Sequence, residues 1–222
     1  MSKQLAINTG ETTETTPTVA DLLPRHALAV KTVASAAIAS RLNAAQKDAA
    51  KLSLSAKNLA VVSIRIGVSG AGLKTLSTFY DELAHASIVI SRDINRQAGQ
   101  IAALTVSLWR KHLFCQKLCK VQATLQPASD VLLDRQLVSG HQDLSALANA
   151  AQQQAQQLRL SIDDLELQMR AMQVIVVNAR MEAASLPDYK SQLTELMAQI
   201  HRSTTNIMDE VHQCKHWIKD LA

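Results

Sequence analysis

Glycine and proline are scarce in this 222-residue chain, at six and four residues, and aromatic side chains make up only 3% of it. So few chain breakers exclude a turn-rich sheet protein, and so few aromatics exclude a core built on large rings. The three cysteines are an odd number in a chain whose first residues, "MSKQLAINTGETTETTPTVADLLP", have no apolar run of the kind an export signal needs. A disulfide framework is therefore not expected, and the sequence is read as cytoplasmic. No uncharged apolar stretch reaches the ~18 residues that would cross a bilayer, since "LAVVSIRIGV" is short and contains Arg65. The 23 basic residues are nearly balanced by 19 acidic ones, so the net charge of +4 is no nucleic-acid footprint. Glycine-rich phosphate loops, nucleophile motifs and inward acidic pairs are all missing, which argues against an enzyme and against a bound cofactor.

What is abundant is alanine, leucine, glutamine and serine in heptad order. Ser35, Ile38, Leu42, Ala45, Ala49, Leu52, Ala56, Leu59, Ser63 and Ile66 fall at alternating steps of three and four. After "GVSGAG" the pattern resumes through Tyr80, Ala84, Ser87, Ser91, Ile94, Ala98, Ile101, Thr105 and Leu108. A third seam runs from Leu144 through Ala148, Ala151, Ala155, Leu158, Ile162, Leu165, Met169, Met172, Val176 and Ala179 to Ala183. A fourth runs from Leu193 through Met197, Ile200, Thr204, Ile207, Val211, Cys214 and Ile218 to Leu221. Such spacing predicts helices that bury one stripe each.

The halves repeat. A shift of 113 places Leu52 on Leu165, Leu73 on Leu186, Glu82 on Glu195, Leu83 on Leu196 and Ile94 on Ile207. The expected fold is all-α, a long antiparallel four-helix bundle or coiled coil made of two tandem helical hairpins. The expected parts are a polar, disordered tail over 1–24, a first hairpin over 25–126, a connector over 127–140 marked by Pro127 and Gly140, and a second hairpin over 141–222. Both hairpin tips are expected at one end and the connector at the other.

At the second tip, "NARMEAA" (Asn178 to Ala184) resembles the start of the signalling tip in the cytoplasmic hairpin of methyl-accepting chemotaxis receptors. "YDEL" (Tyr80 to Leu83) and "TEL" (Thr194 to Leu196) are similar to the acidic and hydrophobic triplet on that tip's returning helix. The chain departs from the family at Ser185 and in the turn "SLPDYK". In that family two hairpins form a four-helix bundle whose tip contacts a histidine kinase and its coupling protein. The resemblance implies a non-enzymatic signalling or adaptor protein, a receptor dimer fused into one chain, present as a monomeric pseudo-dimer or weak homo-oligomer. Its partner-binding tip would consist of Asn178, Glu182, Tyr189, Glu195 and Glu82. The alternative is a structural or surface-binding helical bundle with no such kinase partner.

Other residues have plainer readings. His26, His112, Cys115 and Cys119 supply four nitrogen and sulfur groups near one end, but free cysteines in a seam read first as small core residues, so no metal is assigned. His212 and His216 in "HQCKHW" read as a solvated pair, and the run Gln152 to Gln157 as an exposed helix face. "SLWRKHLFCQKLCK" mixes aromatic and basic residues as a membrane-surface or nucleic-acid helix does, but reads first as a bundle helix whose long cationic stems cover the core edge.

Overall fold

In the computed structural model, described over residues 25–124, 131–219 and 221 with side chains from Ala29 onward, all regular structure is helical. The proposed tail over 1–24, the side chain of His26 and Pro127 lie outside the described residues. Helix α1 spans Arg25–Ile66, α2 Ala71–Thr124, α3 Val131–Ala184 and α4 Lys190–Ile218. No strand occurs among the described residues, so the chain is all-α there.

The heptad seams account for the packing. α1 packs on α2 and α4, and α3 packs on the same two helices. Every seam residue from Ser35 to Ser63 in α1, from Tyr80 to Leu108 in α2 and from Leu193 to Leu221 in and just after α4 is buried. Each fully buried leucine or isoleucine contributes roughly 1.5–3 kcal/mol of apolar burial. Most of the buried seam hydroxyls bond to carbonyls of their own helix, although Ser87 also reaches Gln168 of α3 and Ser91 Oγ has no partner among the described residues. Thus Ser63 Oγ donates to the Ala60 carbonyl at 2.7 Å, Ser77 Oγ to Lys74 at 2.7 Å, Thr105 Oγ1 to Ile101 at 2.8 Å and Thr204 Oγ1 to Ile200 at 2.9 Å.

Neighbouring helices run antiparallel. Along α2 and α3, Ser87 lies by Gln168, Lys111 by Asp143 and Gln122 by Asp134, so rising numbers meet falling ones. Along α1 and α4, Arg41 meets Glu210 and the Ile38 carbonyl meets Cys214.

The third seam departs from expectation at its start. Ala148 is exposed and Ala151 only half-buried. The reason is length: α4 is 29 residues long against 54 for α3, so it stops before reaching the first turns of α3. The connector over 127–140 also needs correcting, because α3 begins at Val131 and the second hairpin therefore starts ten residues before 141. Gly140 does not interrupt this helix. It is buried inside it, where an added Cβ would stand 2.7 Å from Cys115 Sγ, so its lack of a side chain serves close approach of α2 and α3.

One 18-residue window within Ala29–Thr124 has a mean hydropathy of 1.4, with 28% of it buried. By length and composition alone it is apolar enough to cross a membrane, contrary to the expectation from uncharged runs.

Candidate functional site at the hairpin tips

The first tip is a 3-10 turn, Gly67–Gly70, between α1 and α2. Gly67 has φ of 77°, a left-handed conformation open to glycine at little cost. Gly70 is buried, and an added Cβ would lie 2.6 Å from the Ser63 carbonyl. The second tip closes differently. Ser185 turns back on the end of α3, its amide donating to the Glu182 carbonyl at 3.2 Å and its hydroxyl to the same oxygen at 2.7 Å. Leu186 is buried beneath the turn, and Pro187 opens a second 3-10 turn, Pro187–Tyr189, with its fixed φ at a position where no N–H is required.

The two tips touch. Gly72, at the start of α2, lies under Glu182 of α3, where an added Cβ would be 2.9 Å from the carboxyl carbon. A side chain there would displace the end of the exposed Glu182 side chain. Both turns therefore occupy the same end of the molecule.

Asn178 and Glu182 are exposed one turn apart on α3. Tyr189 is half-buried and packs against the core at the base of the turn. Glu195 is exposed on α4, accepting hydrogen bonds from Gln199 Nε2 at 3.1 Å and from Arg202 at 3.3 Å. Glu82 is exposed on α2. The five residues thus share one end of the protein but not one cluster. Glu82 and Glu195 sit on α2 and α4, and each of those helices packs on α1 and α3. Tyr80, which begins "YDEL", is a core residue: burial pushes its phenol pKa up, against the pull of the Arg180 charge, so it stays neutral.

The carboxylates are interspersed with apolar side chains that the heptad seams do not use. Val61 and Ile64 are exposed on α1, Val68 in the turn Gly67–Gly70, Phe79 on α2, and Val174, Val177 and Met181 on α3, with Val68 at 96% and Met181 at 69% exposure. Sequence reasoning overlooked these residues although a signal was present. Leu54, Val61 and Val68 repeat every seven residues, and the shift of 113 carries them onto Leu167, Val174 and Met181. A second exposed stripe therefore recurs at equivalent places in both halves.

Away from the tips, no group of three or more histidine, cysteine or carboxylate side chains is gathered for a metal among the described residues. His112 is buried with Nδ1 unpartnered, and Cys115 is buried one turn on with its thiol pKa pushed up by desolvation. The described cysteines are all free. His212 has an acidic neighbour that sequence spacing could not reveal, its Nε2 lying 3.7 Å from Glu166 of α3. His216 instead sets its ring edge-on to Trp217, with centroids 6.0 Å apart. No known protein family, curated protein or solved structure matches this chain.

Proposed function

We propose that the chain is a non-enzymatic signalling or adaptor protein whose helices close a single antiparallel four-helix bundle, and that it binds partner proteins through the hairpin-tip end. The packing of α1 and α3 each on both α2 and α4 supports the closed bundle. The observation that carries the functional reading is the surface at the tips. Val177 and Met181 are exposed on α3 beside Asn178 and Glu182, while Val61 and Ile64 of α1 and Val68 of the first turn are exposed at the same end, where the two hairpins already touch through Gly72. Apolar side chains left in water beside exposed carboxylates suit a surface that is covered on binding. The partners implied by the chemoreceptor resemblance are a histidine kinase and its coupling protein, and the recurrence of the stripe in both halves suits a fused receptor-like dimer.

The test combines Glu182→Ala with Glu195→Ala and separately replaces Val68 and Met181 by serine. All four positions are exposed, so melting should change by less than ~0.5 kcal/mol equivalent. Capture of the purified kinase and coupling protein should fall in both variants, while the mid-helix change Gln153→Ala leaves it intact. Absence of capture by the unaltered chain, or equal capture by all variants, would leave a structural bundle as the better reading.

A further inference from the structure

The far end of the molecule has a surface of different character. α2 and α3 are each 54 residues long, against 42 for α1 and 29 for α4, so among the described residues their paired far ends extend past the other two helices as a two-helix finger. The finger is held by Lys111 to Asp143 at 2.6 Å, by Gln122 Nε2 donating to Asp134 at 2.7 Å, and by a small apolar cluster of Leu108, Cys115 and Leu144 separate from the main core.

Between Val106 and Thr124, α2 holds Arg110, Lys111, Lys117 and Lys120 and no carboxylate, an excess equal to the +4 of the entire chain, while the α3 side of the finger holds Asp134, Arg135 and Asp143. Lys111 is paired with Asp143, but Arg110, Lys117 and Lys120 form no ion pair among the described residues. On the face opposite the seam, Val106, Arg110, Phe114, Lys117 and Val121 follow one another at steps of four, four, three and four, all exposed. That stripe is about 22 Å long at 1.5 Å per residue. Val131, Leu132 and Val138 are exposed on the α3 side of the same finger.

We propose that this finger docks on the surface of an anionic phospholipid bilayer, with Phe114 and the valines seated at the headgroup boundary and Arg110, Lys117 and Lys120 over lipid phosphates and carboxylates. Alternating cationic and apolar side chains on one helix face satisfy both parts of such a surface at once, because Lys and Arg stems lie along the apolar layer while their charges stay in the headgroups. A nucleic acid would engage the cations but leave Val106, Val121, Val131 and Val138 without a ring to stack or a dry surface to join. Each cation near an anionic leaflet strengthens partitioning about five-fold, or about 100-fold for Arg110, Lys117 and Lys120 together. The finger lies at the opposite end from the tips, so its binding does not depend on the tip's partners.

Vesicle sedimentation of the full chain tests this. The protein should bind phosphatidylcholine vesicles containing phosphatidylserine and fail to bind pure phosphatidylcholine, with binding weakened by added salt. Arg110→Gln, Lys117→Gln and Lys120→Gln in one chain should reduce binding about 100-fold, and Lys117→Gln alone about five-fold should the triple variant lose its helical melt. Phe114→Ser with Val121→Ser should also weaken binding, leaving its salt dependence unchanged. Equal binding to neutral vesicles, unchanged binding by the charge variants, or binding of short DNA or RNA duplexes without vesicle binding would overturn the proposal.

Discussion

Glu166 should act as an acid-labile clamp between α3 and α4. Its side chain is only 9% exposed and sits among three basic groups: Arg170 Nη2 at 2.5 Å, Lys215 Nζ in direct hydrogen-bond contact, and His212 Nε2 at 3.7 Å. Lys215 also reaches Asp163 at 2.6 Å, which ties the last turns of α4 to α3 near the point where α4 ends. The hydrogen bond from Lys215, with those from Arg170, outweighs desolvation and holds the Glu166 carboxyl down at about 2. A folded-state value below the unfolded one stabilises the fold above the unfolded value and ceases to do so as pH falls through the folded value. At face value the shift amounts to about 3 kcal/mol, but the Arg170 side chain is 67% exposed and that of Lys215 35%. Solvent screening of those partners reduces the expected contribution to ~1–2 kcal/mol. Glu166→Gln keeps the shape and removes the charge, so at neutral pH it should lower the melting temperature by roughly 2–8 °C. Thermal melts followed by circular dichroism across acidic pH provide the assay. The gap between the two proteins should be full above pH ~4.5, shrink below it and vanish near pH ~2. A gap independent of pH, or equal melting at neutral pH, would refute the clamp.

Glycines provide two further tests. Gly99 lies inside α2 with nothing within 4 Å of an added Cβ, so Gly99→Ala should stabilise the protein by about 0.5–1 kcal/mol in a denaturant melt through helix propensity alone. Gly140→Ala gains the same propensity but meets Cys115 Sγ at 2.7 Å, so alone it should bring no gain or a loss, while in a Cys115→Ala background the gain should reappear.

The legibility of this fold follows from the period of its core. Ile38, Leu42, Leu52 and Leu59, like Ile200, Ile207 and Val211, are buried where steps of three and four place them, because a helix with one apolar stripe has few other ways to remove it from water. Turn chemistry was legible for the same local reason: Gly67 takes a positive φ and Pro187 opens a turn. Helix ends were less so. Gly140 carries the sign of a break, yet the close pass of Cys115 makes it a helix-interior residue, and that contact lies between positions far apart in sequence. The exposure of Ala148 likewise depends on where α4 stops, which the period of α3 does not encode.

The site was harder to read because its signal shares the helix period with the core. Leu54, Val61 and Val68 recur every seven residues just as Leu52 and Leu59 do, and a single pass that assigns each heptad to one buried face absorbs the second stripe into the first. What separates them is angle around the helix. Leu52 to Leu54 is a turn of about 200°, so a stripe two residues out of phase with the seam points nearly away from it. Two apolar stripes in opposite phase on one helix imply two surfaces to cover, and the packed core covers only one. The same phase argument applies to the finger, where Val106, Phe114 and Val121 alternate with cations opposite Leu108, His112 and Cys115. The outward stripes on α1 and α3 reach the tips with Lys57 and Arg65 beside the first and Arg170 and Glu182 beside the second, whereas the stripe on the finger has only lysine and arginine between its apolar residues. The tip end thus mixes both signs of charge with apolar side chains while the finger stripe holds cations alone, and it is on that difference that the two proposals, a protein partner for the one and an anionic surface for the other, rest.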